Sequence, residues 1–481
     1  MTFSRLNGSI TPERLITLRL AVSIVALLWV YYTIPVKDSA DGDSDLPWLL
    51  LELLIFGAIV GVGIFFSPGG VARVAGSAGV ALGGWALGGF IALCGALAFA
   101  ELGRRRNAAG AQYEILRDAY GSAGPLLGFV FVVCNATAVQ AGAIAVIAFI
   151  CAENLAFVAG LEGPSASLIT TMAVLLIALV TGINALGVRF GALIQNVTVA
   201  AKILALLGVT LLAVFASHHT PEAAPAPAGG RSTFIALLAC LGPAFFAYGG
   251  WQHALWISGE VKNPRRNLPL AILAGTAVVV AVYLLANWAY LSLLGFDRVV
   301  SSKTLAADAV GAVLPPWGSR VIAAAVATSA FGVLNAQLLS GPRLIQAMAA
   351  DGRFWSPFAR LHSRFGTPIA SILLLGGLGV ALAAVAGKDR ADQLATGVVA
   401  VDGLFFILTG AAVFLLPTEG RPLPGSRLAA GLFVLGELGL LVGAHADEKP
   451  RQALMVGAAW VAGAVAVYLI AFRSGGRRPG V

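Results

Sequence analysis

Apolar residues in this sequence arrive in successive blocks about twenty residues long, parted by short polar breaks. A block of that length, as an α-helix rising ~1.5 Å per residue, spans the ~30 Å hydrocarbon core of a bilayer. Inside lipid every backbone N–H and C=O must be satisfied within the segment, and a helix does this. The blocks run over 47–72, 79–102, 125–157, 166–185, 189–216, 232–259, 268–296, 316–350, 367–387, 391–416, 426–444 and 452–472, with a further apolar stretch at 15–34. Only 11% of residues are charged and 58% are hydrophobic, against ~25% charged in a soluble domain. A soluble enzyme, a secreted disulfide scaffold and a disordered chain are excluded. The fold class is an all-α polytopic membrane protein.

The net charge of +8 does not point to nucleic acid, because the basic residues sit in short loops rather than on one helical face. With the start of 47–72 on the cytoplasmic side, most loop lysines and arginines fall in the cytoplasm, as the positive-inside rule requires. They include Arg104, Arg105, Arg106 and Arg117 in one loop and Lys262, Arg265 and Arg266 in another. Cys94, Cys134, Cys151 and Cys240 all lie inside apolar blocks and read as small packing residues. Asn135 and Asn196 begin glycosylation triplets, but both fall within helices. The histidines have no metal-ligand spacing, and no phosphate-binding loop or ATPase signature appears, so no cofactor is expected. A membrane enzyme would need His, Asp or Glu clustered at one depth, which the sequence lacks.

Glycine interrupts two blocks. The first carries Gly57, Gly61 and Gly63, and the second carries Gly249 and Gly250 after Phe245, Phe246, Ala247 and Tyr248. Glycine weakens a helix and lets bare backbone face a cavity. Paired breaks at matching places in two halves are the mark of an inverted-repeat transporter. Close helix packing explains glycines equally well, and Gly57/Gly61 and Gly84/Gly88 have the spacing for it. Lys202 lies 13 residues beyond Arg189, or roughly 20 Å into the span. At that depth it should face a polar cavity or a partner; a snorkelling lysine on a tilted helix is the plainer alternative.

Several motifs then occur in order: Gly61 to Phe65 with Ser67-Pro68-Gly69-Gly70; Ala100 to Gly103 followed by Gly110 to Tyr113; Phe246 to Trp251; Glu260 to Pro269; and Met348 to Gly352. In these the chain resembles the amino acid–polyamine–organocation (APC) superfamily, closest to the L-type amino acid transporter branch. The resemblance implies an inverted five-helix repeat (5+5), with one repeat over 47–216 and the other over 232–416. Two C-terminal helices and a tail follow at 417–481, and 1–46 holds the additional apolar segment. It implies that the N–H groups of Val62 and Gly63, at the break around Gly61, face a substrate carboxylate. The carbonyls of Ile59, Phe246 and Gly249 face its amine. Half-helix ends can hold both charges in this way without buried ionic side chains. Phe246 occupies the family's gating position. Ala247 lies beside it, and Trp251 and Gln252 are candidate pocket walls. Lys202 stands where related folds bind sodium. The family usually has Ser or Thr where Val62 stands, so carboxylate recognition here would rest more on backbone.

Glu101 and Glu260, near arginines at cytoplasmic helix ends, are gate candidates or ordinary interfacial pairs. Gln140 and Asn335 could line the cavity or join helices; His253 reads as a hydrogen-bonded wall residue and Asp402 as an interhelical or proton-bearing group. The expected function is secondary transport of amino acids by exchange or as a permease. Neutral substrates are expected, because no charged residue lies at either break. An amine or polyamine transporter, favoured by an acidic residue facing the site, and a non-transporting amino acid sensor are the rivals. Expected partners are the small-molecule substrate and the lipid bilayer of the cell membrane, with an accessory subunit left open. Segment 15–34 is expected to form an additional helix, spanning or lying against the bundle. Its uncharged run 20–34 covers only ~22 Å, which favours the second arrangement.

Overall fold

The computed structural model describes residues 61, 63–161, 163–216, 232–261, 263–302, 304–314, 316–418, 420–444 and 448–472. The segment 15–34, the loop 35–46, and Ile59 and Val62 lie outside the described residues. Among those described, helices and turns account for the whole fold, and 8 helices are long and apolar enough to cross a membrane. Large side chains such as Leu175, Leu204, Leu435 and Val385 are exposed on their outer faces. That surface suits lipid rather than water.

In chain order the α-helices of nine residues or more are α1 (Gly63–Ala75), α2 (Ala78–Arg105), α3 (Ala111–Ala119), α4 (Gly124–Cys134), α5 (Ala141–Val158), α6 (Ala166–Ala185) and α7 (Val188–Ala216). Then come α8 (Thr233–Tyr248), α9 (Pro264–Leu294), α10 (Pro316–Ser340), α11 (Pro342–Ala350), α12 (Ile369–Ala386), α13 (Ala391–Leu415), α14 (Ser426–Ala444) and α15 (Glu448–Val467). Serine caps begin several of them. The hydroxyls of Ser77, Ser165 and Ser232 accept from the N–H groups of Val80, Leu168 and Ile235, satisfying donors that the first turn leaves open.

Helix α2 is the centre of the packing and lies against α8, α9 and α14. Its glycine spacing is a contact surface. A Cβ at Gly84 would lie 2.6 Å from Cys240 Cβ, and one at Gly88 would lie 3.2 Å from Ala244 Cβ. Removing both side chains brings α8 close to α2, and α8 in turn packs on α1.

Two interruptions depart from the block pattern. The block 125–157 contains a π-turn at Asn135–Gln140 between α4 and α5. A π-turn shifts the helical register, and nothing in apolar content reveals it. The block 316–350 divides at Gly341, where Pro342 has no N–H to continue the ladder.

Candidate functional site

Helix α8 ends at Tyr248, as its glycines predict. Gly249 is extended (φ −64, ψ 158) and Gly250 has φ 124, a conformation that favours glycine. The Gly250 N–H, which would close the next turn on the Phe246 carbonyl, donates instead to Gln252 Oε1 at 2.8 Å. The His253 N–H bonds to the Gly250 carbonyl rather than to that of Gly249. The chain then resumes as a helical turn at His253–Trp256. This rerouting breaks the ladder at the two carbonyls expected to meet an amine.

On the opposite side Gly61 is non-helical, and α1 starts at Gly63. The Gly61 N–H donates to the Tyr283 hydroxyl of α9 at 3.2 Å. Tyr283 is buried and packs against Tyr248 (5.3 Å between ring centroids) and Trp85 (6.1 Å). One phenol therefore ties Gly61, before the start of α1, to the end of α8 across the bundle. Sequence reasoning did not reach it, since a tyrosine inside an apolar helix carries no motif.

The start of α1 and the break after Tyr248 open on one cavity. Gly61, Gly63, Phe246, Gly249 and Gln252 line it, as do Gln140 of the π-turn, Phe245 and His253. Ala247 packs against Gly63 and is not on the cavity wall. Trp251 lies behind that wall, stacked on Phe406 at 5.2 Å and edge-on to Phe99 at 4.5 Å; Phe406 is the ring that faces the cavity. Lys202 is fully buried, which excludes a snorkelling side chain. Asn335 joins helices, its Oδ1 accepting from Asn184 Nδ2 at 2.9 Å. His253 Nδ1 lies 2.5 Å from Ser340 Oγ, whose own proton goes to the Ala336 carbonyl at 2.7 Å. Ser340 must therefore accept, which assigns the proton to His253 Nδ1.

No acidic residue lies at either glycine break in the sequence, yet two face the cavity from elsewhere in the chain. Asp402 of α13 and Glu437 of α14 both line the cavity. They come from helices far along the chain from either break, so inspection of the breaks alone could not find them. Among the described residues that line the cavity there is no lysine or arginine. Among the described residues no cluster of His, Cys, Asp and Glu is suited to a metal ion.

The other ionic groups sit at helix ends. Glu101 is buried; Arg105 Nη2 lies 2.9 Å from its Oε1, and the Leu423 N–H donates to its Oε2 at 2.9 Å. It ties α2 to the loop between α13 and α14. Glu260 lies in the short turn Ser258–Glu260 that follows the second break. Two motifs read separately in the sequence meet at Asp351. Tyr113 donates its hydroxyl to Asp351 Oδ2 at 2.7 Å, and Arg117 and Arg353 pair with the same carboxylate at 3.1 and 3.0 Å. Burial alone would raise the Asp351 carboxyl, but the Tyr113 hydrogen bond and the Arg117 charge outweigh it. They hold it below the usual carboxylate range. A depressed carboxyl stabilises the fold above its unfolded pKa of ~3.9, and that stability is lost as pH falls through the folded value. Asp351→Asn should therefore lower the unfolding midpoint at pH 7 and match the native protein near pH 2, measured by thermal melts in detergent. A gap of equal size at both pH values would contradict this pairing.

Residues 46–472 match the family model described as amino acid permease. The chain is 28% identical over 413 residues to the serine/threonine exchanger SteT of Bacillus subtilis (strain 168), a match covering 82% of this chain and 90% of that protein. It is 30% identical over 330 residues to the b(0,+)-type amino acid transporter 1 of Homo sapiens, covering 67% of this chain and 66% of that protein. It is 33% identical over 337 residues to the Asc-type amino acid transporter 1 of Homo sapiens, covering 67% and 62%. For these last two, the aligned part is just under two thirds of the relative's length.

Proposed function

This chain belongs to the amino acid permease family, a family of membrane transporters and not of enzymes, and on that premise we propose that it exchanges free amino acids across the cell membrane by alternating access. One observation carries the reading: the start of α1 at Gly61 and Gly63 and the break at Gly249–Gln252 meet on one cavity inside the bundle. Broken helix ends offer N–H groups to a carboxylate and carbonyls to an ammonium, the two charges every free amino acid brings. The N–H groups at Val62 and Gly63 take the carboxylate, and the carbonyls of Ile59, Phe246 and Gly249 take the amine. Phe246, on the cavity wall, covers the bound substrate. The two breaks belong to inverted five-helix repeats at 47–216 and 232–416, which rock about the site. Names of relatives that include an exchanger support exchange.

Reconstitution tests this directly. Uptake of labelled amino acid into proteoliposomes should rise when unlabelled amino acid is loaded inside. Absence of uptake with and without internal substrate would reject transport and favour a sensor.

Lys202 supplies the fixed positive charge that sodium supplies in related folds. Replacing external sodium with choline should leave uptake unchanged. Lys202→Ala should lower it roughly tenfold or more, the scale of an ordinary coupling free energy. A steep rise of native uptake with sodium would remove this role.

A further inference from the structure

Backbone recognition of an amino acid's two charges leaves part of the cavity unused. Asp402 and Glu437 face it from α13 and α14, which pack side by side. A Cβ on Gly403 would lie 3.3 Å from Glu437 Oε2, so the Glu437 carboxyl rests on the α13 backbone next to Asp402. Glu437 is only 1% exposed, and its Oε1 is buried with no hydrogen-bond partner among the described residues. Gln140 Oε1 and Gln337 Oε1, on the same cavity, are likewise buried and without a partner among the described residues. Every one of these atoms accepts hydrogen bonds. Among the described residues the cavity wall holds no lysine or arginine, and its one histidine, His253, has its Nδ1 proton committed to Ser340.

Unpaired acceptors and carboxylates inside a membrane protein are costly to leave unsatisfied. A wall made of them is complemented by a ligand group that brings donors and positive charge. An ammonium has three N–H donors and a guanidinium five. We propose that Asp402 and Glu437 form a subsite for the cationic side chain of a basic amino acid, with Gln140 and Gln337 completing its acceptor wall. This rests on the transport reading and adds the side-chain class to it. It replaces the neutral preference, whose ground was the lack of acidic residues at the breaks. A cation between the two carboxylates also relieves their mutual repulsion, which a neutral side chain does not.

The full-length protein in proteoliposomes can be tested with arginine against citrulline, which keeps the shape and loses the charge. Native protein should favour arginine by about 100-fold or more, as expected where a buried polar site loses its partner. In Asp402→Asn and in Glu437→Gln that ratio should fall at least roughly tenfold toward one. Ligand-dependent thermal shifts in detergent supply the same ratio for a variant that transports poorly. A native ratio near one overturns the subsite, as does an unchanged ratio in both variants. Equal loss of both ligands would give the pair a structural role and overturn it too. So would an unchanged ratio accompanied by lost response to an imposed proton gradient, which would assign the pair to proton movement. Citrulline uptake without arginine preference rejects the subsite alone, whereas uptake of no amino acid rejects the transport reading with it.

Discussion

Gly63→Ala should abolish uptake while the protein still inserts into the membrane. A Cβ at this position would lie 2.3 Å from Ala247 Cα and 2.8 Å from its Cβ. The obstacle is backbone, which cannot swing aside as a flexible side chain would. The start of α1 and the end of α8 would have to part, and these are the two ends that line the cavity. Overpacking of this kind costs about 1–3 kcal/mol in stability. The larger effect is on function, because a displacement of about 1 Å at a binding site can cost ~100-fold. We expect uptake below roughly 1% of native, with a monodisperse elution profile in detergent. Gly70 is the control on the same helix. A Cβ there would meet Pro243 Cβ at 3.5 Å, an ordinary contact, so Gly70→Ala should transport normally. Normal uptake by Gly63→Ala would falsify the assignment. The sequence assigned Gly63 to substrate approach; the structure adds a second constraint, contact with Ala247.

The largest loss of stability is expected from Glu101→Ala. Glu101 and Arg105 have side-chain exposures of 2% and 3% and are paired at 2.9 Å. Arg105 also donates to the carbonyls of Val413 and Leu416 at 2.8 and 2.9 Å, and Glu101 accepts from the Leu423 N–H. Removing the carboxylate leaves a buried guanidinium without its counter-charge and an orphaned backbone donor. Breaking one side of a buried pair costs about 3–5 kcal/mol. The thermal midpoint in detergent should fall accordingly, and Glu101→Gln should recover part of it by keeping an acceptor. An alanine variant as stable as native would show that the pair contributes nothing. As a gate, Glu101 would have to release three helix ends at once, which makes it a tie between α2 and the α13–α14 loop in this conformation.

What the sequence determined by itself is the local physics of the chain. A run of about twenty apolar residues is a membrane helix whatever its neighbours, so block 166–185 and helix α6 (Ala166–Ala185) coincide. Glycine weakens a helix wherever it stands, so the break after Tyr248 was legible, and so was a deep Lys202. The motifs carried the family for the same reason, since each lies within a few neighbouring residues. Tertiary structure alone decided which faces meet. Asp402 and Glu437 reach a cavity framed by Gly61 and Gly249, Tyr283 closes on Gly61, Tyr113 finds Asp351, and the π-turn sets Gln140 on the cavity wall. These partners lie far apart along the chain, and the helices that carry Tyr283, Asp402 and Glu437 are apolar over most of their faces. Where most sides of a helix are apolar, periodicity does not mark the one that faces the site. That choice is made by close packing between helices, through contacts such as Gly84 on Cys240 and Gly63 on Ala247.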